Sequence, residues 1–80
     1  MRHNLVVPDL GLAERPVTLS LWLVELGAEV TEGDRIVELA SESVTVDLPA
    51  PVSGRLAELL VTEDEELAIG QVLGIIESDD

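Results

Sequence analysis

The sequence predicts an all-β domain, a flattened barrel or sandwich of two roughly four-stranded antiparallel sheets. The 80 residues are 46% hydrophobic, and this share is mostly Val, Leu and Ile, with Trp22 as the single aromatic residue. Short β-branched stretches alternate with regularly spaced turn residues, which is typical of sandwiches and barrels. The chain also matches itself at a shift of 37 positions, which predicts two halves related by pseudo-two-fold symmetry.

Individual strands are predicted from the alternation of apolar and polar residues and from the turns that bound them. The alternation is clearest where Val44, Val46 and Leu48 are separated by polar residues. The segment 56–61 has the spacing of a helical turn, but its turn residues bound it too tightly for a good helix. We therefore expect strands at 4–8, 17–25, 35–40, 44–48, 54–61 and 71–77, with short extended segments near residues 30 and 67.

The internal repeat brings specific residues into register. Shifting the chain by 37 positions lays Gly33 on Gly70. The same shift lays Trp22 on Leu59, so we expect the indole to fill the core and its N–H to find a hydrogen-bond partner. Neither half could bury both faces of its strands alone, so we expect residues 1–80 to form one domain of two packed sheets.

The charge of the chain restricts its partners. Seventeen acidic residues against four arginines give a formal net charge of −13. Such a surface repels nucleic-acid phosphates and anionic lipid, so neither nucleic acid nor a membrane is an expected partner. A basic protein surface is a better electrostatic match. The sequence begins without a signal-like apolar run and has no membrane-spanning stretch, so we expect a cytoplasmic location. We also expect the isolated domain to be a monomer.

Catalytic and metal-binding residues are not expected. The chain has no cysteine, which excludes disulfides and thiolate metal sites. His3 is the sole histidine and lies in a terminal segment that we expect to fray. The carboxylates at 63–66 lack the spaced ligands and the glycine of a calcium loop. With no nucleophile and base that can be paired, the domain is not expected to be an enzyme.

Five motifs follow one another along the chain: V-P-D-L-G at 7–11, V-T-L-S-L-W-L-V at 17–24, G-A-E-V-T-E-G-D at 27–34, V-T-V-D-L-P-A-P-V-S-G at 44–54 and D-E-E-L-A-I-G-Q-V-L at 64–73. In this order and spacing they resemble the lipoyl/biotinyl attachment domain family. They are most similar to the N-terminal lipoyl domains of 2-oxo acid dehydrogenase acyltransferases. The resemblance covers nearly the whole chain and implies a hairpin that presents a lysine for lipoate or biotin.

The resemblance implies where that lysine should lie. In the family it sits at a two-residue turn, six positions before the first proline of P-A-P and sixteen after the glycine of the second loop. Counting from Pro49 and from Gly27 leads to Ser43 in both cases. Glu42 stands where lipoyl domains usually have an acid, and Val44 replaces the methionine typical of biotin carriers. The sequence contains no lysine at any position.

Serine cannot take over the role of the attachment lysine. Lipoylation forms an amide on a nucleophilic amine, whereas an unactivated hydroxyl is a poor nucleophile at neutral pH. We therefore expect Ser43 to be a vestigial, unmodified attachment position flanked by Glu42 and Val44, and we expect no bound cofactor. The adjacent loop, residues 10–16, lacks the family's usual glycine in its second part and gains Arg15 and Pro16, which predicts altered recognition.

Several functions are compatible with this sequence. The first hypothesis is a degenerate lipoyl-like domain that acts as a protein-interaction or scaffolding module of unknown pathway. The alternative is a lipoyl carrier domain of a 2-oxo acid dehydrogenase complex acyltransferase whose attachment lysine has been replaced, naturally or by engineering, by Ser43. Both imply a protein partner, with a component of a dehydrogenase complex as one candidate. An adaptor domain of an efflux assembly is disfavoured because residues 40–54 leave no room for an inserted helical hairpin.

Overall fold

The computed structural model describes residues 1–11, 15–42 and 44–79. These residues form eight strands: β1 Arg2–Val6, β2 Val17–Trp22, β3 Glu29–Val30, β4 Arg35–Ser41, β5 Val44–Pro49, β6 Gly54–Leu59, β7 Glu66–Leu67 and β8 Val72–Glu77. They build two four-stranded antiparallel sheets, in the orders β1-β8-β6-β3 and β5-β4-β2-β7. The predicted all-β fold is confirmed. No helix among the described residues is long and apolar enough to cross a membrane.

β2 and β6 end two to three residues earlier than predicted, at Trp22 and Leu59. After each strand the chain leaves its sheet and crosses to the other one. The first crossover segment, residues 23–28, is bound to β6 of the other sheet, because the Gly27 N–H donates a 2.8 Å hydrogen bond to the Leu56 carbonyl. The apolar run after each strand therefore belongs to a crossover between the sheets and not to a longer strand.

Equivalent hydrogen bonds in the two halves show the pseudo-two-fold symmetry. The Leu56 N–H donates to the Ala28 carbonyl at 2.9 Å. The residues 37 positions away repeat this bond, because the Leu19 N–H donates to the Glu65 carbonyl at 3.0 Å. The repeat in the sequence is therefore a repeat in the structure, with each half contributing strands to both sheets.

Left-handed backbone conformations explain the glycines that recur in the repeat. Gly33 has φ of 93° and its equivalent Gly70 has φ of 85°, a region that residues with a Cβ rarely adopt. A second turn pairs Gly27, at φ of 90°, with Asp64, at φ of 68°. Aspartate tolerates this conformation better than most residues, so the turn persists without a second glycine.

The core fills the space between the sheets. Its most deeply buried side chains are Leu19, Ile36, Val37, Leu39, Leu56, Leu73 and Ile76. Trp22 is half-buried against this core, and its indole N–H donates a 3.1 Å hydrogen bond to the Val61 carbonyl. The prediction that Trp22 packs on the core with a bonded N–H is confirmed.

The two chain ends lie together at one end of a molecule of 37 × 19 × 19 Å. The Met1 ammonium donates a 2.8 Å hydrogen bond to the Ser78 carbonyl. The His3 ring Nε2 lies 3.1 Å from the Ser78 hydroxyl oxygen. The expectation that His3 frays is wrong, because β1 begins at Arg2 and pairs with β8 along its whole length.

Candidate functional site

The hairpin of β4 and β5 ends in a two-residue turn. The two strands pair as far as Ser41 opposite Val44, which leaves Glu42 and position 43 to connect them. Glu42 has φ of 50°, the left-handed conformation that suits a tight hairpin turn. Ser43 itself lies outside the described residues. Its neighbours Glu42 and Val44 are both exposed.

The loop between β1 and β2 contacts this turn. The Arg15 guanidinium lies 3.7 Å from the Glu42 carboxylate, and both side chains are more than half exposed. Residues 12–14 of the loop lie outside the described part of the chain. The contact places the changed part of the loop beside the hairpin, where the family resemblance implied that it would be.

This loop is also where the two halves of the domain differ most. Val7 occupies the place of Ala50, since each follows an edge strand and bonds through its backbone to the glycine turn that precedes the neighbouring strand. These two residues are 43 positions apart, whereas the strands that follow them, beginning at Val17 and Gly54, are 37 apart. The first half therefore has six additional residues between Val7 and Val17. Arg15, near the end of this longer segment, reaches Glu42 at the hairpin tip.

An open groove lies under the loop. It has a volume of about 280 Å³ and is lined mainly by Val7, Leu10, Arg15, Val17, Leu67 and Ile69, together with neighbouring prolines and carboxylates. Arg15 thus contributes to the groove wall while its guanidinium approaches Glu42. The loop, the groove and the hairpin turn form one continuous surface at this end of the molecule.

Two buried serines flank the ends of the sheets and were missed by sequence reasoning. Ser41 precedes the hairpin turn and Ser78 follows β8, and each is 5% exposed. The shift of 37 positions lays one on the other, which is the signal that could have found them. The Ser78 hydroxyl contacts His3 and the Met1 carbonyl, at 3.1 and 3.4 Å, so it fastens the N-terminal segment to β8.

His3 lies away from the predicted attachment turn. The imidazole contacts Ser78 at the terminal end of the molecule, whereas Glu42 lies at the hairpin end. The described residues contain no group of three or more His, Asp or Glu side chains that could hold a metal ion. The carboxylates at 63–66 are all exposed on the second crossover segment, residues 60–65, and the start of β7.

Comparison with known proteins identifies related sequences. The Biotin_lipoyl family model, described as "Biotin-requiring enzyme", matches residues 3–76. The dihydrolipoyllysine-residue succinyltransferase component of the 2-oxoglutarate dehydrogenase complex of Bartonella vinsonii is 33% identical over 78 residues, covering 98% of this chain and 19% of that protein. The corresponding component of Rickettsia conorii is 30% identical over 76 residues, covering 95% and 19%. The chain spans about a fifth of the length of these relatives.

Solved structures share the fold. The lipoyl domain of the 2-oxoglutarate dehydrogenase complex of Azotobacter vinelandii superimposes with a TM-score of 0.74 at 22% identity, covering 94% of this chain and 96% of that one. A single-chain, multi-domain long-chain acyl-CoA carboxylase gives a TM-score of 0.78 at 22% identity, covering 99% of this chain and 7% of that one. Together, the family match over residues 3–76 and the two-sheet architecture show that this chain belongs to the lipoyl/biotinyl attachment domain family.

Proposed function

We propose that this chain is a lipoyl-type domain of the acyltransferase component of a 2-oxo acid dehydrogenase complex, with Ser43 at the attachment position. The observation that carries the proposal is the exposed two-residue turn of Glu42 and position 43, between Ser41 and Val44, in a member of this family. The relatives from Bartonella vinsonii and Rickettsia conorii are named for a dihydrolipoyllysine residue. These relatives support the carrier-domain hypothesis more than the stand-alone interaction module.

In this proposal the domain, as its sequence stands, carries no lipoate or biotin. Without lysine in the sequence, no side chain offers the primary amine on which lipoate or biotin is attached in the family. A serine hydroxyl needs a neighbouring base to become a nucleophile. The described ionisable neighbour of position 43, Glu42, faces the Arg15 guanidinium. We therefore expect Ser43 to stay unmodified in this domain.

The interaction module remains the second candidate because of the altered loop. Arg15 places a positive charge beside the Glu42 carboxylate at the tip of the hairpin. A partner that binds this end of the molecule contacts a carboxylate whose negative charge is partly balanced by Arg15. A scaffold role would need the surface of the loop, groove and turn, but no attachment chemistry.

Replacing Ser43 with lysine tests the attachment position. We expect Ser43→Lys, incubated with lipoate ligase, lipoate and ATP, to gain the mass of one lipoyl group, while the unaltered chain gains none. The physical reason is that the exposed turn then presents the amine that amide formation requires. Intact-protein mass spectrometry measures the modification, and circular dichroism verifies that the variant is folded.

A lysine elsewhere on the surface is the matched control. Glu32→Lys adds the same amine to another exposed turn, and we expect it to remain unmodified. A folded Ser43→Lys variant that the ligase leaves untouched would contradict the carrier-domain proposal and favour the interaction module. Equal modification of Glu32→Lys would show that the ligase does not read the hairpin.

A further inference from the structure

A second surface lies at the middle of the molecule, away from the hairpin turn. Leu59 and Leu60 are 38% and 49% exposed, and with Trp22 they line an open groove of about 530 Å³ that also includes residues 61–63. We name it the waist groove. Leu59 pairs with Gly74 in the middle of the β8 region, whereas the hairpin turn lies at the far end of β4. The groove is therefore separate from the surface proposed above.

The indole in the waist groove is held in one position. The Trp22 N–H donates a hydrogen bond of 3.1 Å to the Val61 carbonyl, which links the end of β2 to the second crossover segment. Its ring also lies close over β8, since a Cβ built on Gly74 would come within 3.2 Å of Trp22 Cη2. A fixed tryptophan flanked by exposed leucines resembles the anchors that dominate protein interfaces, because little side-chain freedom is lost on binding.

The charges around the groove are all of one sign. Glu63 lines it, and two further carboxylates, at 64–65, follow directly on the exposed chain. The arginines are placed elsewhere. Arg2 contacts Glu58 and Glu77, Arg15 contacts Glu42, and Arg35 contacts Asp47, while Arg55 lies opposite Glu29 in the pairing of β3 with β6. Among the described residues that line the groove there is no arginine, so its field is negative.

We propose that the waist groove binds a basic, leucine-rich segment of a partner protein. Aliphatic side chains would pack on Trp22, Leu59 and Leu60, while lysines or arginines would face Glu63 and the carboxylates that follow it. A second copy of this chain fits less well, because each copy carries a net charge of −13 and would bring the same acidic rim. The proposal does not depend on attachment at position 43.

The probe for this proposal is a tryptophan-free synthetic peptide of alternating Lys and Leu pairs, with a Glu and Leu peptide of the same length as the charge control. Trp22 is the only tryptophan, so its fluorescence reports directly on the groove. We expect the Lys/Leu peptide to shift the Trp22 emission saturably, with affinity that falls as NaCl is raised. The Glu/Leu peptide should produce no saturable shift.

Two variants and one control decide where the peptide binds. We expect Leu60→Asn to weaken the Lys/Leu peptide about tenfold, as loss of an apolar anchor does. Glu63→Lys should weaken it through charge. Leu26→Asn removes an apolar side chain that is 59% exposed and lines neither this groove nor the groove under the first loop, and it should leave the affinity unchanged.

The opposite results would overturn the proposal. Equal affinity for Leu60→Asn and Leu26→Asn would place the peptide elsewhere on the acidic surface. Binding of the Glu/Leu peptide with the same affinity would remove the electrostatic part of the argument. Sedimentation that shows the unaltered chain to dimerise, with the dimer lost in Leu60→Asn, would make a second copy the occupant and would also contradict it.

Discussion

Ser41 and Ser78 occupy equivalent positions, yet their hydroxyls have different surroundings. Ser78 contacts His3, which lies opposite Ile76 in the pairing of β1 with β8. The equivalent pair in the other half is Val46 opposite Leu39. Valine offers no hydrogen-bonding group, and the Ser41 hydroxyl finds no hydrogen-bond partner in the described part of the chain. A buried hydroxyl without a partner costs stability, because folding removes its hydration.

Replacing the two serines with alanine should therefore have opposite effects. We expect Ser41→Ala to be neutral or to raise the free energy of unfolding by up to about 1 kcal/mol, because it removes an unpaired buried hydroxyl. Ser78→Ala should lower it by about 1 kcal/mol, since the contacts with His3 and the Met1 carbonyl are lost. Urea denaturation of both variants measures the difference. Equal losses in the two variants would contradict this account of Ser41.

These serines also show what the sequence could and could not predict at the scale of residues. The repeat lays Ser41 on Ser78, so their equivalence was present in the sequence. The partner of Ser78 was not, because His3 is 75 residues away and meets it only through the pairing of β1 with β8. The same holds for Arg15 and Glu42, whose contact depends on where the first loop folds.

At the scale of elements, equivalent positions in the two halves carry side chains of different size, and these differences compensate one another. Trp22 in the first half corresponds to Leu59 in the second, and Gly74 in β8 corresponds to the buried Val37 in β4. The large indole extends over the strand that has glycine. A Cβ at Gly74 would lie 2.7 Å from the Glu58 carbonyl oxygen and 3.2 Å from Trp22 Cη2, so β8 has no room for a side chain there.

We expect Gly74→Ala to lower the free energy of unfolding by about 1–3 kcal/mol, the usual cost of overpacking. In a Trp22→Leu background, which introduces the residue found at the equivalent position of the other half, Gly74→Ala should cost less, because one of the two close contacts is already gone. A double-mutant cycle by urea denaturation measures the coupling between the two sites. Strictly additive losses would contradict the packing of the indole over Gly74.

Strand existence was easier to predict than strand ends. The alternation of apolar and polar residues located β5, and the glycine turns located the short β3 and β7. The end of β2 was placed too late because the residues after Trp22 stay apolar. In the structure Val24 packs against the core while Leu23 is exposed, because the chain is crossing between sheets. Hydrophobic pattern alone does not separate a strand from such a crossover.

At the scale of the whole molecule, the main feature is the excess of negative charge. Seventeen acids and four arginines are distributed over 80 residues, and three of the arginines already lie within 4 Å of carboxylates. Like charges held in a compact domain repel one another and destabilise it. Salt shortens the range of this repulsion, to about 10 Å at 0.1 M and about 3 Å at 1 M ionic strength.

Added NaCl should therefore stabilise the domain. If screening restores about 1 kcal/mol, the melting temperature should rise by about 4–8 °C, as for other domains of this size. Calorimetry in low salt and in about 0.5 M NaCl measures this shift, because the screening length is shorter at the higher salt concentration. An unchanged or lower melting temperature at high salt would show that the paired charges outweigh the unpaired ones.

The long axis of the molecule runs between the hairpin turn and the chain termini. The hairpin turn lies at one end, and the joined termini lie at the other, in a domain 37 Å long. The waist groove lies between them, where Trp22 contacts the second crossover segment. The hairpin turn and the waist groove are therefore different surfaces, and the two proposals are independent of each other.

The position of the attachment residue is the central claim, and a lysine scan across the turn tests it most directly. Glu42→Lys, Ser43→Lys and Val44→Lys each introduce the sole lysine of the chain. We expect lipoate ligase to modify Ser43→Lys about 100-fold faster than Glu42→Lys or Val44→Lys, because a displacement of the amine by about 1 Å can lower the rate about 100-fold. Equal rates at the three positions, or a maximum at residue 42 or 44, would contradict it.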